Sequence, residues 1–189
     1  MTGKVNPSGK LPFTFPVALE ESPAHYLKTF PGDNLETNYK EGILVGYRWY
    51  DTKNIIPLYP FGYGLSYTNF DYSDFHTSKK SYTINETITA DITIKNTGET
   101  DGKETVQLYI SKQGSTIDRA DKELKAFKKI MIPAGEEVTV TLTIPVKDLA
   151  YYNEQSSQWV VEPGRYIILA GTSSKDIKAT EAISISGGK

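Results

Sequence analysis

Residues Thr87–Asn96 read TITADITIKN. Ile88, Ala90, Ile92 and Ile94 fall on one side of an extended chain. Thr87, Thr89, Asp91, Thr93 and Lys95 fall on the other. A side-chain period of two with one apolar set is the pattern of a half-buried β-strand. The same grammar recurs downstream. In ETVQLYI (104–110), Val106, Leu108 and Ile110 alternate with Thr105, Gln107 and Tyr109. In EEVTVTLTI (136–144), Val138, Val140, Leu142 and Ile144 alternate with three threonines. GRYIILAG (164–171) is more continuously apolar, as a central strand is, and EAISIS (181–186) sets Ile183 and Ile185 inward.

Turn chemistry separates these runs: Asn96-Thr97-Gly98, Asp101-Gly102, Pro133-Ala134-Gly135 and Pro163-Gly164. Each supplies a preset φ or a tolerance of positive φ. With 70–78 and 123–132 added, about seven strands are predicted over ~115 residues, the spacing of an antiparallel β-sandwich of immunoglobulin or fibronectin type III type. Trp159 is expected as its large core residue, and DLAYYN (148–153) as a short helical turn or corner.

The chain changes character near residue 70. Seven of its ten prolines and seven of its thirteen tyrosines lie before that point. Proline at this density interrupts helices and central strands. Only ILVGYRWY (43–50) shows weak strand character. LYPFGYGLSYTNF (58–70) carries five aromatic residues, two glycines and no charge. A segment this aromatic is no disordered linker, yet with no periodic pattern it cannot form its own core. The expectation is therefore an all-β sandwich over 70–189, preceded by an extended aromatic- and proline-rich segment over 1–69 that lies against something else.

Composition bounds the function. Twenty-one Lys and Arg against 23 Asp and Glu give a net charge of −2, with a mean hydropathy of −0.41. Lys79-Lys80 and Lys128-Lys129 are only doublets, so no basic patch for nucleic acid is expected and no polybasic run for a membrane surface. No apolar run approaches the ~20 residues of a membrane helix. The first residues, MTGKVNPSGKLPF, contain no apolar signal core, so no secretion signal is expected within this chain. The absence of cysteine excludes disulfides and thiolate metal sites without fixing a compartment. The sequon Asn85-Glu86-Thr87 would matter only in a eukaryotic secretory pathway.

Candidate chemistry is sparse. Glu20-Glu21 reads as a solvated pair. Asp118, Asp121 and Glu123 lack the spacing of a calcium loop. His25 and His76 have no second ligand at metal spacing. Ser66 lies in Gly64-Leu65-Ser66-Tyr67, which is not a nucleophile elbow, and Gly62-Tyr63-Gly64 lacks the third glycine of a dinucleotide loop. No cofactor or metal is expected. The tyrosines offer a sugar-stacking platform as an alternative, but they concentrate in the extension rather than on one sheet face, which favours packing.

Several motifs in order carry a family resemblance. GKVNPSGKLPFTFP, YKEGILVGYRWYDTKNIIPLYPFGYGLSYTNF, NTGETDGKETVQLYI, ELKAFKKIMIPAGE, DLAYYN and WVVEPGRYIILAGTSS resemble the C-terminal end of glycoside hydrolase family 3 enzymes, which include many bacterial β-glucosidases. The resemblance implies that residues 1–69 are the end of an α/β sandwich domain and an interdomain linker, and that 70–189 form a fibronectin type III-like domain. It places the family's aspartate nucleophile in an N-terminal (β/α)8 barrel. Its acid/base glutamate lies in the α/β domain, upstream of the matched residues. No catalytic residue carries over, and the Met1 start suggests a truncated chain, a split gene or a gene fragment. Under this resemblance Tyr47, Trp49, Tyr50, Tyr59, Phe61 and Tyr63 would cover the seam with the barrel and α/β catalytic domains. Gly62 and Gly64 would allow close backbone approach there. Carbohydrate would be met only through the parent enzyme, although a direct contact from 47–51 near the active-site rim is an alternative. Two other readings are an autonomous carbohydrate-binding module and an adhesion-type fibronectin domain. In a further alternative, Phe61, Leu65, Tyr67 and Phe70 simply form the first edge of the sandwich and its core.

Overall fold

A computed structural model describes residues 3–32 and 36–187. Among the described residues ten strands form: β1 (Phe70–Thr77), β2 (Ser81–Tyr82), β3 (Thr87–Asn96), β4 (Gly102–Lys112), β5 (Glu123–Ile132), β6 (Glu137–Pro145), β7 (Tyr151–Asn153), β8 (Gln158–Val160), β9 (Gly164–Gly171) and β10 (Ile177–Ile185). One sheet has the order β1-β3-β6. The facing sheet has the order β2-β10-β9-β4-β5, and β7-β8 is a separate two-stranded ribbon. Pairing is antiparallel except between β10 and β2. The seven expected strands are all present. The extra ones are the two-residue β2 and the three-residue strands of the ribbon, too short to show a period.

The alternation in TITADITIKN decides the core. Ile88, Ala90, Ile92 and Ile94 are buried, and β6 pairs with β3 so that Val140 faces Ile92 and Leu142 faces Ala90. Val106, Leu108, Ile110, Tyr166, Ile168, Ala170, Ile183 and Ile185 close over them from the second sheet. Full burial of an isoleucine is worth roughly 1.5–3 kcal/mol, so this layer outweighs any local preference. Asn96 ends β3 as a buried hub. Its side-chain amide donates to the carbonyls of Thr100 (2.9 Å) and Ile132 (3.0 Å), and its oxygen accepts from Gly98 N–H (3.1 Å) and the Thr68 hydroxyl. The Asn-Thr-Gly turn is thus tied to both sheets.

Three expectations are corrected. Trp159 is not the core tryptophan: it is 71% exposed, on β8, facing Tyr152 across the small ribbon. Its ribbon lies outside both sheets, and isoleucines and tyrosines already fill the interior. The segment ILVGYRWY is not a strand. Its second half forms helix α2 (Tyr47–Thr52), which follows a helical turn at α1 (Pro23–Tyr26). Its rings are buried by tertiary contact, and contact overrides a weak β preference. Thr105, Gln107 and Tyr109 were expected on an outward face of β4, yet all three are buried because the N-terminal segment covers that face. DLAYYN does form a corner, a 3-10 turn at Val146–Leu149 leading into β7.

Candidate domain interface

The proline-rich segment folds back on the sandwich as an extended ribbon. Leu11 N–H donates to the Tyr63 carbonyl (2.8 Å), Gly62 N–H to the Leu11 carbonyl (2.8 Å) and Phe15 N–H to the Tyr59 carbonyl (2.8 Å). Pro12 and Pro16 cannot donate, so this ladder stops at a single isolated bridge. Side chains fasten it to the domain. The Asn6 side chain donates to the Asp101 carbonyl (2.9 Å) and accepts from Tyr67 N–H (2.8 Å). Lys10 pairs with Glu104 at 3.1 Å, and the Lys129 ammonium donates to the Ser8 carbonyl (2.6 Å). Gly64 lies against the carbonyl of Gly9, and Gly62, at φ +80°, lies against the Gln107 side chain. A Cβ at either would collide.

The outer side of this ribbon is apolar and uncovered. Phe13 is 52% exposed, and Phe15, Tyr59 and Leu65 are exposed as well. Their rings form a chain: Phe13 to Phe15 at 4.5 Å between centroids, Phe15 to Tyr59 edge-on at 6.2 Å, and Tyr59 to Tyr63 at 5.2 Å. A groove of about 590 Å³ runs between Lys10, Leu11, Phe15, Tyr59, Tyr63 and Leu65. A second one, of about 330 Å³, shares Lys10 and Leu11 and continues past Pro12 and Phe61 to Phe127, an exposed ring on edge strand β5.

Helix α2 faces the other way. Tyr47 stacks on Phe61 at 4.7 Å and meets Tyr109 edge-on at 5.9 Å. Its hydroxyl accepts from Leu124 N–H (2.8 Å). Burial pushes the Tyr47 hydroxyl above its ordinary pKa, partly offset by that N–H. Tyr109 donates to the Gln107 side-chain oxygen (2.6 Å), and burial raises its pKa too. Asp51, with a side chain 1% exposed, lies between the ammonium groups of Lys122 (3.0 Å) and Lys175 (2.9 Å). Thr52 accepts from Asp121 N–H at 2.9 Å. Trp49 is 2% exposed, with Tyr26 edge-on at 5.4 Å and Lys53 over its ring.

Tyr59 and Tyr63 are therefore brought together on the ribbon, with Phe61 turned instead onto Tyr47. Tyr47 reaches them only through Phe61, while Trp49 and Tyr50 are buried by this chain itself. The surface those three tyrosine and tryptophan rings cover includes the sandwich and the N-terminal turns. Asp51 and the rings of Tyr47, Trp49 and Tyr50 are buried within this chain. Phe13, Phe15 and Phe127 were not singled out from the sequence, and Leu65, named only as an alternative core residue, is exposed. The alternation of Phe13 and Phe15 in LPFTFPV was the available signal. Phe127 had none, because an outward ring on an edge strand reads like any other strand residue.

The remaining candidates stay apart. Glu20 is exposed, and Glu21 accepts from Val17 N–H. His25 bonds Ser22, and exposed His76 lies 3.8 Å from Asp91. Ser66 donates to Asn6. Among the described residues no three His, Cys, Asp or Glu side chains converge as metal ligands, and no helix is long and apolar enough to cross a membrane.

Comparison with known proteins agrees with this architecture. A fibronectin type III-like domain model matches residues 104–174. Thermostable β-glucosidase B of Acetivibrio thermocellus is 49% identical over 97% of this chain and 24% of its own length. β-Glucosidase BoGH3A of Bacteroides ovatus is 45% identical over 95% and 24%. The crystal structure of a Bifidobacterium adolescentis GH3 β-glucosidase superposes with a TM-score of 0.89 at 38% identity, covering 97% of this chain and 26% of that one. The chain thus spans about a quarter of the length of the relatives it matches. It belongs to glycoside hydrolase family 3, as the C-terminal part that carries the fibronectin type III-like domain.

Proposed function

We propose that this chain is a non-catalytic portion of a β-glucosidase-like hydrolase, acting by packing on and stabilising the barrel and α/β domains that hydrolyse the O-glycosidic bond. Residues 1–69 are then the end of the α/β domain and the linker, and 70–189 the sandwich that the linker delivers. The observation that carries this reading is the uncovered apolar ribbon of Phe13, Phe15, Tyr59 and Leu65, in a chain a quarter as long as its relatives. A contiguous exposed apolar surface of this kind marks a contact site. Of the six expected seam residues, Tyr59, Phe61 and Tyr63 make the contact, and Tyr47 holds the ribbon on the sandwich from behind through Phe61, while Trp49 and Tyr50 pack within this chain. The glycosidic bond is cleaved only in the parent's active site.

The test mixes the purified chain with the complementary N-terminal three quarters of a family 3 β-glucosidase. A one-to-one complex with a raised melting temperature is expected, and Phe15→Asp with Tyr59→Asp abolishes it while the sandwich stays folded. The chain alone leaves aryl β-glucosides at the buffer blank. Failure to associate, or an association that survives the double substitution, removes the proposal.

A further inference from the structure

Trp159 is left without a role by both the core and the ribbon. It sits on the β7–β8 hairpin directly across from Tyr152, their ring centroids 5.5 Å apart in an edge contact. An edge contact leaves most of the indole surface open, and Trp159 is 71% exposed. The hairpin is held from behind. The Arg119 guanidinium lies 5.2 Å over the Tyr151 ring and 3.6 Å from Glu162, and Glu162 accepts from Thr116 N–H (2.8 Å) and the Ser115 hydroxyl (2.8 Å). At the tip, Asn153 accepts from the N–H groups of Gln155 and Ser156. The ring is thus presented on a pre-ordered support, which lowers the entropy cost of binding.

Trp159, Tyr152 and Tyr151 form one wall of a cleft of about 620 Å³ whose rim carries Asp118, Asp148 and Glu154. None of these three carboxylates pairs with a cation among the described residues. The cleft shares no lining residue with the two grooves of the ribbon. An open indole face takes the C–H face of a pyranose ring. Free carboxylate oxygens accept from hydroxyls at its rim, and with Glu123 the four carboxylates outnumber Arg119 and Lys125, the two cations that also line the cleft, which disfavours anionic ligands. From this pairing we infer that the β7–β8 cleft is a binding site for a neutral carbohydrate that lays one pyranose ring on Trp159; that the ligand is a chain of β-linked hexoses rests on the reading of the parent as a β-glucosidase-like hydrolase. The site does not depend on the docking of the ribbon.

The experiment titrates the full chain with a soluble β-glucan, using an α-linked dextran as comparator. Trp49 is buried, so a change in tryptophan emission on binding comes from Trp159. A saturable shift with β-glucan and none with dextran is expected, with slower migration in gels containing the β-glucan. Trp159→Ala should weaken binding at least ~10-fold, as loss of a central aromatic contact does, with an unchanged melting temperature. Asp148→Asn with Glu154→Gln, which leaves the rings in place, should weaken it several-fold. No saturable binding at millimolar sugar overturns the inference, as does binding untouched by Trp159→Ala. The same holds if the patch serves another partner: a sedimentation coefficient that falls on Trp159→Ala would show a contact between copies. Protection of Trp159 by the complementary enzyme fragment would show a domain contact. Either result would assign the hairpin to protein.

Discussion

Two stretches of this chain share a period and differ in fate. TITADITIKN and LPFTFPV both alternate apolar and small or polar residues. In β3 the apolar set is closed over by β4, β9 and β10, whereas in residues 11–17 the rings of Phe13 and Phe15 remain open. The period tells which side chains share a side. Whether that side is covered depends on what else the chain can bring to it. β3 has two neighbours in its sheet and a second sheet above. The ribbon has prolines on its line, one partial partner at 59–63, and no layer above it. The molecule thus joins a sandwich that completes its own core to an aromatic segment that is anchored on one side and unfinished on the other.

The largest effects should separate anchor from sandwich. Asp51→Ala leaves buried Lys122 with only the exposed Asp121 carboxylate at 3.3 Å, a loss of up to about 3 kcal/mol. It should fall on the docking of α2. Hydrogen exchange at residues 47–52 should accelerate strongly, with amides of Ile88–Ile94 unchanged. Equal acceleration in both would mean that the two regions form one cooperative unit. Ile168→Ala empties a fully buried site in β9 and should lower global stability by about 2–5 kcal/mol in denaturant titration. A chain starting at Phe70 should still unfold cooperatively, but with stability lowered by about 1.5–3 kcal/mol because Tyr109 and Gln107 lose their cover. An unfolded product would place α2 and the ribbon inside the folding unit.

Much of this was legible in sequence, and the failures share a cause. Apolar alternation in β3, β6 and β10 named the core residues because one face of each meets the opposite sheet and the other faces outward. β4 misled because its second face is covered by a segment from far away in the chain. Helix α2 misled because Tyr47 and Trp49 are held by contacts to Phe61, Tyr109, Leu124 and Tyr26, which no local window contains. Trp159 misled because size alone was taken to imply burial, and on a three-residue strand the period is too short to decide. In the candidate interface, Tyr59, Phe61 and Tyr63 stood out as a cluster, whereas Phe13 and Phe15 were hidden by the prolines around them.

Smaller effects follow within the sandwich and at its surface. Burial pushes the Glu162 carboxyl up, but the bonds from Thr116 and Ser115 win and hold it below its ordinary value of 4.5. A carboxyl lowered on folding stabilises the protein above its unfolded pKa and loses that contribution as pH falls through the folded one. Stability should therefore drop as pH falls below about 4.5, and Glu162→Gln should flatten that limb in acid titrations monitored by circular dichroism. Phe15→Ala and Trp159→Ala should each change the stability of the chain by no more than ~0.5 kcal/mol, as exposed positions do. A loss of ~3 kcal/mol at either would mean that its ring packs within this chain after all.

Hydrogen exchange of the full chain, alone and with the complementary N-terminal part of a family 3 β-glucosidase, addresses the central claim most directly. Alone, amides of Ile88–Ile94 and Tyr166–Ala170 should exchange slowly, those of 47–52 at an intermediate rate and those of 11–17 fast. With the complement, protection should rise sharply in 11–17 and 59–65 and stay level in β3 and β9. Slow exchange in 11–17 in the isolated monomer, or a complex that forms with no added protection there, would contradict the account of the ribbon as an unfinished surface awaiting the rest of the enzyme.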